Sequence, residues 1–239
     1  MARQGPQPEG RWGPEQSAPF LNGVNMNIGI IGSGALGSNV ARAFAAKGIP
    51  ATIANKSGPA SLAKLAEELG SNITAGTIEQ AASADIVVVA VPWEALETLV
   101  KSLPAWNNRI VIDATNPVLF LAPDSPDRND PNNPLAAYGI KAIDLGEQHA
   151  SAIFSKLVPG ARVVKAFNHV DANVIPQPEV AGGQRTMFYA GDDAAAKAEV
   201  RKVLDTIGYF PVDLGPLDIG GPLIQLPFGA LAMSNFAKV

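Results

Sequence analysis

Three glycines carry the chemistry most constrained by spacing: Gly32, Gly34 and Gly37, in the order G-x-G-x-x-G with Ser33, Ala35 and Leu36 between them. A short apolar run from Met26 ends at Ile31 just before them, and Val40, Ala41, Phe44 and Ala45 recur behind them at helical spacing. Strand, glycine turn and helix in that order form a cradle for the pyrophosphate of a dinucleotide. Gly32 makes the tight turn, Gly34 lets the backbone approach the phosphates, and Gly37 lets the helix pack on the strand. The free N–H groups of the helix start face the negative charge.

A dinucleotide site of the NAD-specific kind places an Asp or Glu about 20 residues further on, against the ribose 2′-hydroxyl. Here the first carboxylate after the glycines is Glu67, and the corresponding turn reads Asn55-Lys56-Ser57. An amide, an ammonium and a hydroxyl can all donate to a 2′-phosphate. Such charge-assisted contacts are worth on the order of 1.5–3 kcal/mol, so NADP(H) is the expected cofactor. The competing reading is a polar turn with a solvated lysine.

Acid–base and nucleophilic chemistry is poorly provided for. The sequence holds no G-x-S-x-G elbow and no H-E-x-x-H, and with no cysteine it has no thiolate nucleophile or thiolate metal site. No metal is expected. Neither Tyr138 nor Tyr189 has a lysine four residues on, which excludes a Ser–Tyr–Lys set. His149 falls on an expected helix from Gly146 to Leu157, where a solvated position is its ordinary fate. His169 follows a strand and is the one weak catalytic candidate. A dinucleotide site without an evident acid–base pair suits hydride transfer to a delocalised, flavin-like ring, with the protein supplying orientation and proximity.

The elements that must position these residues alternate between strand and helix. After the first unit come a strand over Pro50–Ala54, a helix over Ala60–Leu69, a minor strand at Ile73–Ala75 and a short helix capped by Thr77. Ile86–Val91 is a continuous apolar run typical of a central parallel strand. A helix over Glu94–Ser102 and a strand over Arg109–Asp113 follow, then strands at Arg162–Phe167, Thr186–Ala190 and Tyr209–Asp213, with a helix over Ala194–Ile207. The expected fold is α/β: a Rossmann-type, doubly wound, mostly parallel sheet with a small C-terminal extension. Ligands in such sheets lie at the carboxyl ends of the strands, so the loops at 32–37, 55–57, 91–93 and 115–117 are expected to line one cleft. Phe120–Tyr138 is rich in Pro, Asp and Asn and reads as a long loop, a lid or an insertion. The apolar tail after Asp213 would complete the cleft or pack on a second subunit.

Composition sets the outer limits. With 239 residues, 47% hydrophobic, the chain can bury a large core, and a net charge of −4 gives nucleic acid no purchase. No apolar run approaches the ~20 residues that span a bilayer, so no membrane partner is expected, and cysteine-free composition fits a cytoplasmic setting. Residues 1–25 read as a disordered leader or an added extension. The NADP-binding Rossmann domain is expected over 26–160, and 161–239 as an α/β extension that completes the sheet, the acceptor cleft and a homodimer interface.

Taken together, G-S-G-A-L-G, I-A-N-K-S-G-P, V-V-V-A-V-P-W, V-I-D-A-T-N-P, V-P-G-A-R-V-V-K-A-F-N and A-G-D-D resemble, in collinear order from Met26 to about Leu217, the NADPH-dependent coenzyme F420 reductases. That family is also similar to the oxidoreductase domains of the STEAP metalloreductases. The resemblance implies direct hydride transfer between NADP(H) and a deazaflavin or flavin ring, with coenzyme F420, FMN or FAD as second substrate. It implies that Asn55, Lys56 and Ser57 grip the 2′-phosphate. Ala90, Val91, Pro92 and Trp93 would flank the nicotinamide half, with Ala114, Thr115 and Asn116 across from them. Phe167 and Asn168 would lie beside the acceptor ring. The chain departs from the family at the Leu121–Pro134 insertion and in its ending, where Gln225 stands in place of a glutamate. Two other readings are a reductase of another small acceptor (a quinone, ferric chelate, imine or carbonyl) and a non-catalytic NADPH-sensing module.

Overall fold

The computed structural model describes residues 26–239; the leader 1–25 lies outside them. Its elements in chain order are β1 (Ile28–Ile31), α1 (Ala35–Ala46), β2 (Ala51–Ala54), α2 (Ala63–Leu69), β3 (Ile73–Ala75), α3 (Ile78–Ala82), β4 (Ile86–Val89), α4 (Trp93–Lys101) and β5 (Ile110–Asp113). Then come β6 (Val118–Phe120), β7 (Ile140–Ala142), α5 (Ala150–Leu157), β8 (Arg162–Lys165), β9 (Glu179–Val180), β10 (Gly183–Gly191), α6 (Ala194–Thr206), β11 (Phe210–Asp213), α7 (Leu217–Ile224) and β12 (Ala237–Lys238).

The main sheet runs β3-β2-β1-β4-β5-β8-β10-β11. From β3 to β8 all neighbours are parallel, while β10 pairs antiparallel with β8 and carries β11 parallel to itself. The doubly wound, mostly parallel fold expected from the alternating pattern is therefore present. Every residue of β1, β4 and β5 is buried, because helices cover both faces. Period-two alternation splits the core. Ile28, Ile30, Ile86, Val88, Ile110 and Ile112 pack under α1 and α6, while Ile31, Val87, Val89 and Val111 pack under α4 and α5.

The chain reverses its winding between β1 and β4, which pair with each other and carry β2 and β5 on their opposite sides. That switch point opens a crevice at the strands' carboxyl ends. Local chemistry fixes the pieces around it. Thr77 and Gln80 form a reciprocal capping box on α3, and Asp193 caps α6 by accepting from Ala196 N. Asp192 Oδ1 instead accepts from Leu217 N at 2.9 Å and so ties the start of α7.

Two expectations need correction. The helix expected from Gly146 begins only at Ala150, because Gly146 sits at φ +61° in a turn closed by Asp144 Oδ1. His149 is thus a cap and not a solvated helix residue: its Nδ1 accepts from Ala152 N at 3.3 Å. The long polar loop also carries regular structure at its base, where β6 and β7 pair antiparallel as a separate two-stranded arm. Side chains satisfy the backbone of the loop between them. Arg128 donates to the carbonyls of Leu121 and Ala122, and Asn133 donates to those of Asp127 and Ile140.

Candidate functional site: a cleft at the switch point

The glycine turn is locked by close approaches on two sides. Gly32 takes φ +112°, donates its N–H to Ala54 O at 2.9 Å, and leaves no room for a Cβ against the carbonyl of Ala90. A Cβ on Gly37 would run into the carbonyl of Gly32, so this glycine seats α1 against the turn. Gly34 differs: a Cβ there meets nothing, and the position faces open space. No side chain caps the start of α1. A bare helix N-terminus beside an open glycine is a fitting cradle for a pyrophosphate.

At the end of β2 the turn Asn55-Lys56-Ser57 is bound to the same loop. Asn55 Nδ2 donates to Ser33 Oγ at 2.9 Å, and Asn55 Oδ1 accepts from Ser57 N and Ser61 Oγ. Part of Asn55's hydrogen-bonding capacity is therefore spent on joining the two loops. Lys56 and Ser57 are exposed, and Lys56 forms no ion pair among the described residues.

From the glycine loop a cleft of about 690 Å³ runs across the carboxyl end of the sheet. It brings together Gly34, Ala35 and Leu36, the turn Ala90-Val91-Pro92-Trp93, the turn Ala114-Thr115-Asn116, and Asn168. Gly32, Ser33, Gly37 and Asn55–Ser57 do not line it. Three further groups line it: Phe120, Tyr138 and Ile140 from the arm, Leu226 and Met233 from the tail that was expected to complete the cleft, and Val170–Asn173 beyond β8, which no motif had marked.

Two residues expected at the site are elsewhere. Phe167 takes φ +66° and is fully buried in the core beneath α1 and α6, so it does not face the cleft. His169 is also fully buried. Its Nε2 accepts from Phe188 N at 3.2 Å and its ring lies 5.5 Å from that of Phe188. Burial, with the nearby Lys165 charge as a smaller contribution, pushes its pKa down to about 3. A neutral imidazole held as a structural acceptor outside the cleft is not a catalytic acid.

Beneath the Thr115 turn lies a charged pair. Lys165 Nζ is 2.8 Å from Asp113 Oδ2, both side chains being wholly buried, and Lys165 also donates to Thr115 O at 3.0 Å. Asp113 Oδ1 accepts from both the N–H and the hydroxyl of Thr115, at 2.9 and 2.6 Å. The pair fixes the turn that forms one cleft wall. A lysine inside the apolar run R-V-V-K-A-F was the signal for it. Asn116 then stitches the far side: its Nδ2 donates to Asn168 O, and its Oδ1 accepts from Asn168 Nδ2 and from Leu226 N.

Among the described residues no helix is long and apolar enough to cross a membrane. The family described as NADP oxidoreductase, coenzyme F420-dependent, matches residues 27–117. A hypothetical protein, SMa0349, from Sinorhizobium meliloti is similar at 36% identity and TM-score 0.77, over 89% of this chain and 96% of that one. A candidate F420-dependent NADP-reductase from Arthrobacter sp. FB24 is similar at 25% identity and TM-score 0.62, over 81% of this chain and 86% of that one. An imine reductase from Myxococcus stipitatus, solved with NADP+, shares the fold at 20% identity and TM-score 0.53, over 82% of this chain and 56% of that one. With the glycine cradle, the switch-point cleft and these likenesses in place, the chain belongs to the coenzyme F420-dependent NADP oxidoreductase family and is an NADP-dependent oxidoreductase.

Proposed function

We propose that the chain passes a hydride from NADPH to the flat conjugated ring of a deazaflavin- or flavin-type acceptor, of which coenzyme F420, FMN and FAD are examples. One observation carries this reading: the cleft starts at the glycine cradle and ends on aromatic and aliphatic walls, with no histidine among the described residues that line it. Bound NADPH supplies two electrons and a proton as hydride, leaving as NADP+, while the reduced ring takes any further proton from water.

The chain's own residues supply position. The backbone at 32–37 and the bare start of α1 hold the pyrophosphate, and Lys56 and Ser57 reach the 2′-phosphate. Val91, Pro92 and Trp93 face Ala114–Asn116 across the nicotinamide half, and Asn168 meets the acceptor. The apolar walls keep water from the transfer path, and holding two rings face to face supplies much of the rate. A homodimer belongs to the same reading, with the exposed apolar residues Ile219, Leu223 and Phe228 covered by a second copy. Light scattering that returns the monomer mass would remove it.

The test mixes the protein and NADPH with deazaflavin, FMN, FAD, quinones, ferric chelates and imines, following the nicotinamide absorbance band. Oxidation with a flavin or deazaflavin ring supports the proposal. Oxidation with an imine, carbonyl or chelate alone overturns the ring acceptor, and tight NADPH binding with no oxidation by any of them favours a sensing module.

A further inference from the structure

We propose, resting on the ring-acceptor reading above, that the cleft selects rings with an uncharged tail, so that neutral flavins of the riboflavin class are taken in preference to rings bearing phosphate or carboxylate chains. The charges around the cleft carry this. Among the described residues no lysine or arginine lines it, and the one charged residue there is an acid, Asp171.

The nearby cations are committed elsewhere. Arg128 keeps its charge but holds it on the carbonyls of Leu121 and Ala122 at 2.8 Å each and does not line the cleft. Lys141 pairs with Asp127 at 3.1 Å within the arm, and Lys165 is buried against Asp113. Lys56 stands at the opposite, nucleotide end. Asp171 is held in place because its Oδ1 accepts from Asn173 N at 2.8 Å.

An acceptor with an anionic tail therefore meets a carboxylate and, among the described residues, no cation in the cleft lining. It also meets the phosphates that NADPH itself brings to the adjoining cradle, in a chain of net charge −4. A flat neutral ring meets favourable surfaces. Phe120 and Tyr138, 68% and 76% exposed, line the cleft together with Trp93 and offer it aromatic surface. The amide of Asn173, exposed at the cleft, is an uncharged group able to face a ring carbonyl.

The experiment compares riboflavin with FMN, which share one ring and differ in a phosphate, using the full chain at saturating NADPH. At low ionic strength kcat/KM for riboflavin is expected to exceed that for FMN by about tenfold, the gap shrinking as salt is raised. Asn173→Lys, which adds a cation while leaving the Asp171 turn intact, should narrow the riboflavin-to-FMN ratio severalfold, and Asp171→Asn should do so more weakly. Equal or better use of FMN at low salt, or a ratio unmoved by both variants, overturns the inference while leaving the ring-acceptor reading standing. Bound NADPH that neither flavin oxidises overturns the inference, and overturns the ring-acceptor reading with it when a deazaflavin fails as well.

Discussion

Replacing Lys165 by methionine isolates the energetic role of the buried pair under the cleft wall. The substitution roughly conserves volume but removes the one partner that Asp113 Oδ2 has among the described residues, 2.8 Å away, leaving a carboxylate with zero exposure and donors from Thr115 on its other oxygen alone. Breaking such a pair from one side costs about 3–5 kcal/mol, since the remaining charge keeps its desolvation penalty. In a domain of this size each kcal/mol shifts Tm by roughly 2–4 °C, so Lys165→Met should lower Tm by roughly 6–20 °C. Urea unfolding followed by tryptophan fluorescence, to which the buried Trp106 contributes, gives the free energy. The double variant Asp113→Leu/Lys165→Met should recover most of the loss, because an apolar pair replaces an ionic one. It should not recover turnover, because Thr115 loses all three hydrogen bonds that hold its turn. A single variant that costs less than about 1 kcal/mol, or a double as unstable as the two singles summed, would refute this account.

Three other outcomes are expected. Lys56→Ala should weaken NADPH binding by about tenfold or more and leave NADH nearly unchanged in a fluorescence titration, since only the 2′-phosphate uses the ammonium; equal losses would remove the assignment. Gly34→Val should fold with unchanged Tm, because its Cβ meets no protein atom, yet raise the Kd for NADPH by about a hundredfold. For His169, the folded pKa of about 3 lies below the ordinary 6.5, so the unfolded chain takes up a proton first as pH falls. The stability this histidine holds at pH 7 is lost progressively from about pH 6.5 down to about pH 3. By pH 4.5 the wild type should lose about 2–3 kcal/mol more than His169→Gln, and parallel pH profiles for the two proteins would show the imidazole is not buried neutral.

Legibility followed locality. The glycine turn, the fully buried β4 and the capped α3 are each written within a dozen residues, and each forms as its pattern dictates. The failures begin where a strand ends. Beyond Lys165 the positive φ of Phe167 breaks the alternation, turning its ring into the core and leaving Asn168 at the cleft. His169 could not be placed for the same reason, since the strand pattern no longer says which way a side chain points. The arm was opaque because the long loop joining its two strands is held by hydrogen bonds from Arg128 and Asn133 to backbone carbonyls, which no periodicity announces. The Asp113–Lys165 contact joins positions 52 residues apart, and a strand pattern records burial but not partners.

The stitch at Asn116 has a consequence for how the molecule is made. Leu226 reaches Asn116 across 110 residues of sequence, Asn168 holds Ile224 O, and Met233 N donates to His169 O. The cradle at Gly32–Gly37 depends on β1, β2 and β4, all synthesised before residue 90. A growing chain thus possesses its nucleotide cradle long before its acceptor wall, whose contacts are of the slow, non-local kind. During synthesis and refolding the two halves of the cleft mature on separate clocks. Pulsed hydrogen exchange should show amides of β1, β2 and β4 protected ahead of Leu226 and Met233; simultaneous protection would mean that the tail closes with the sheet.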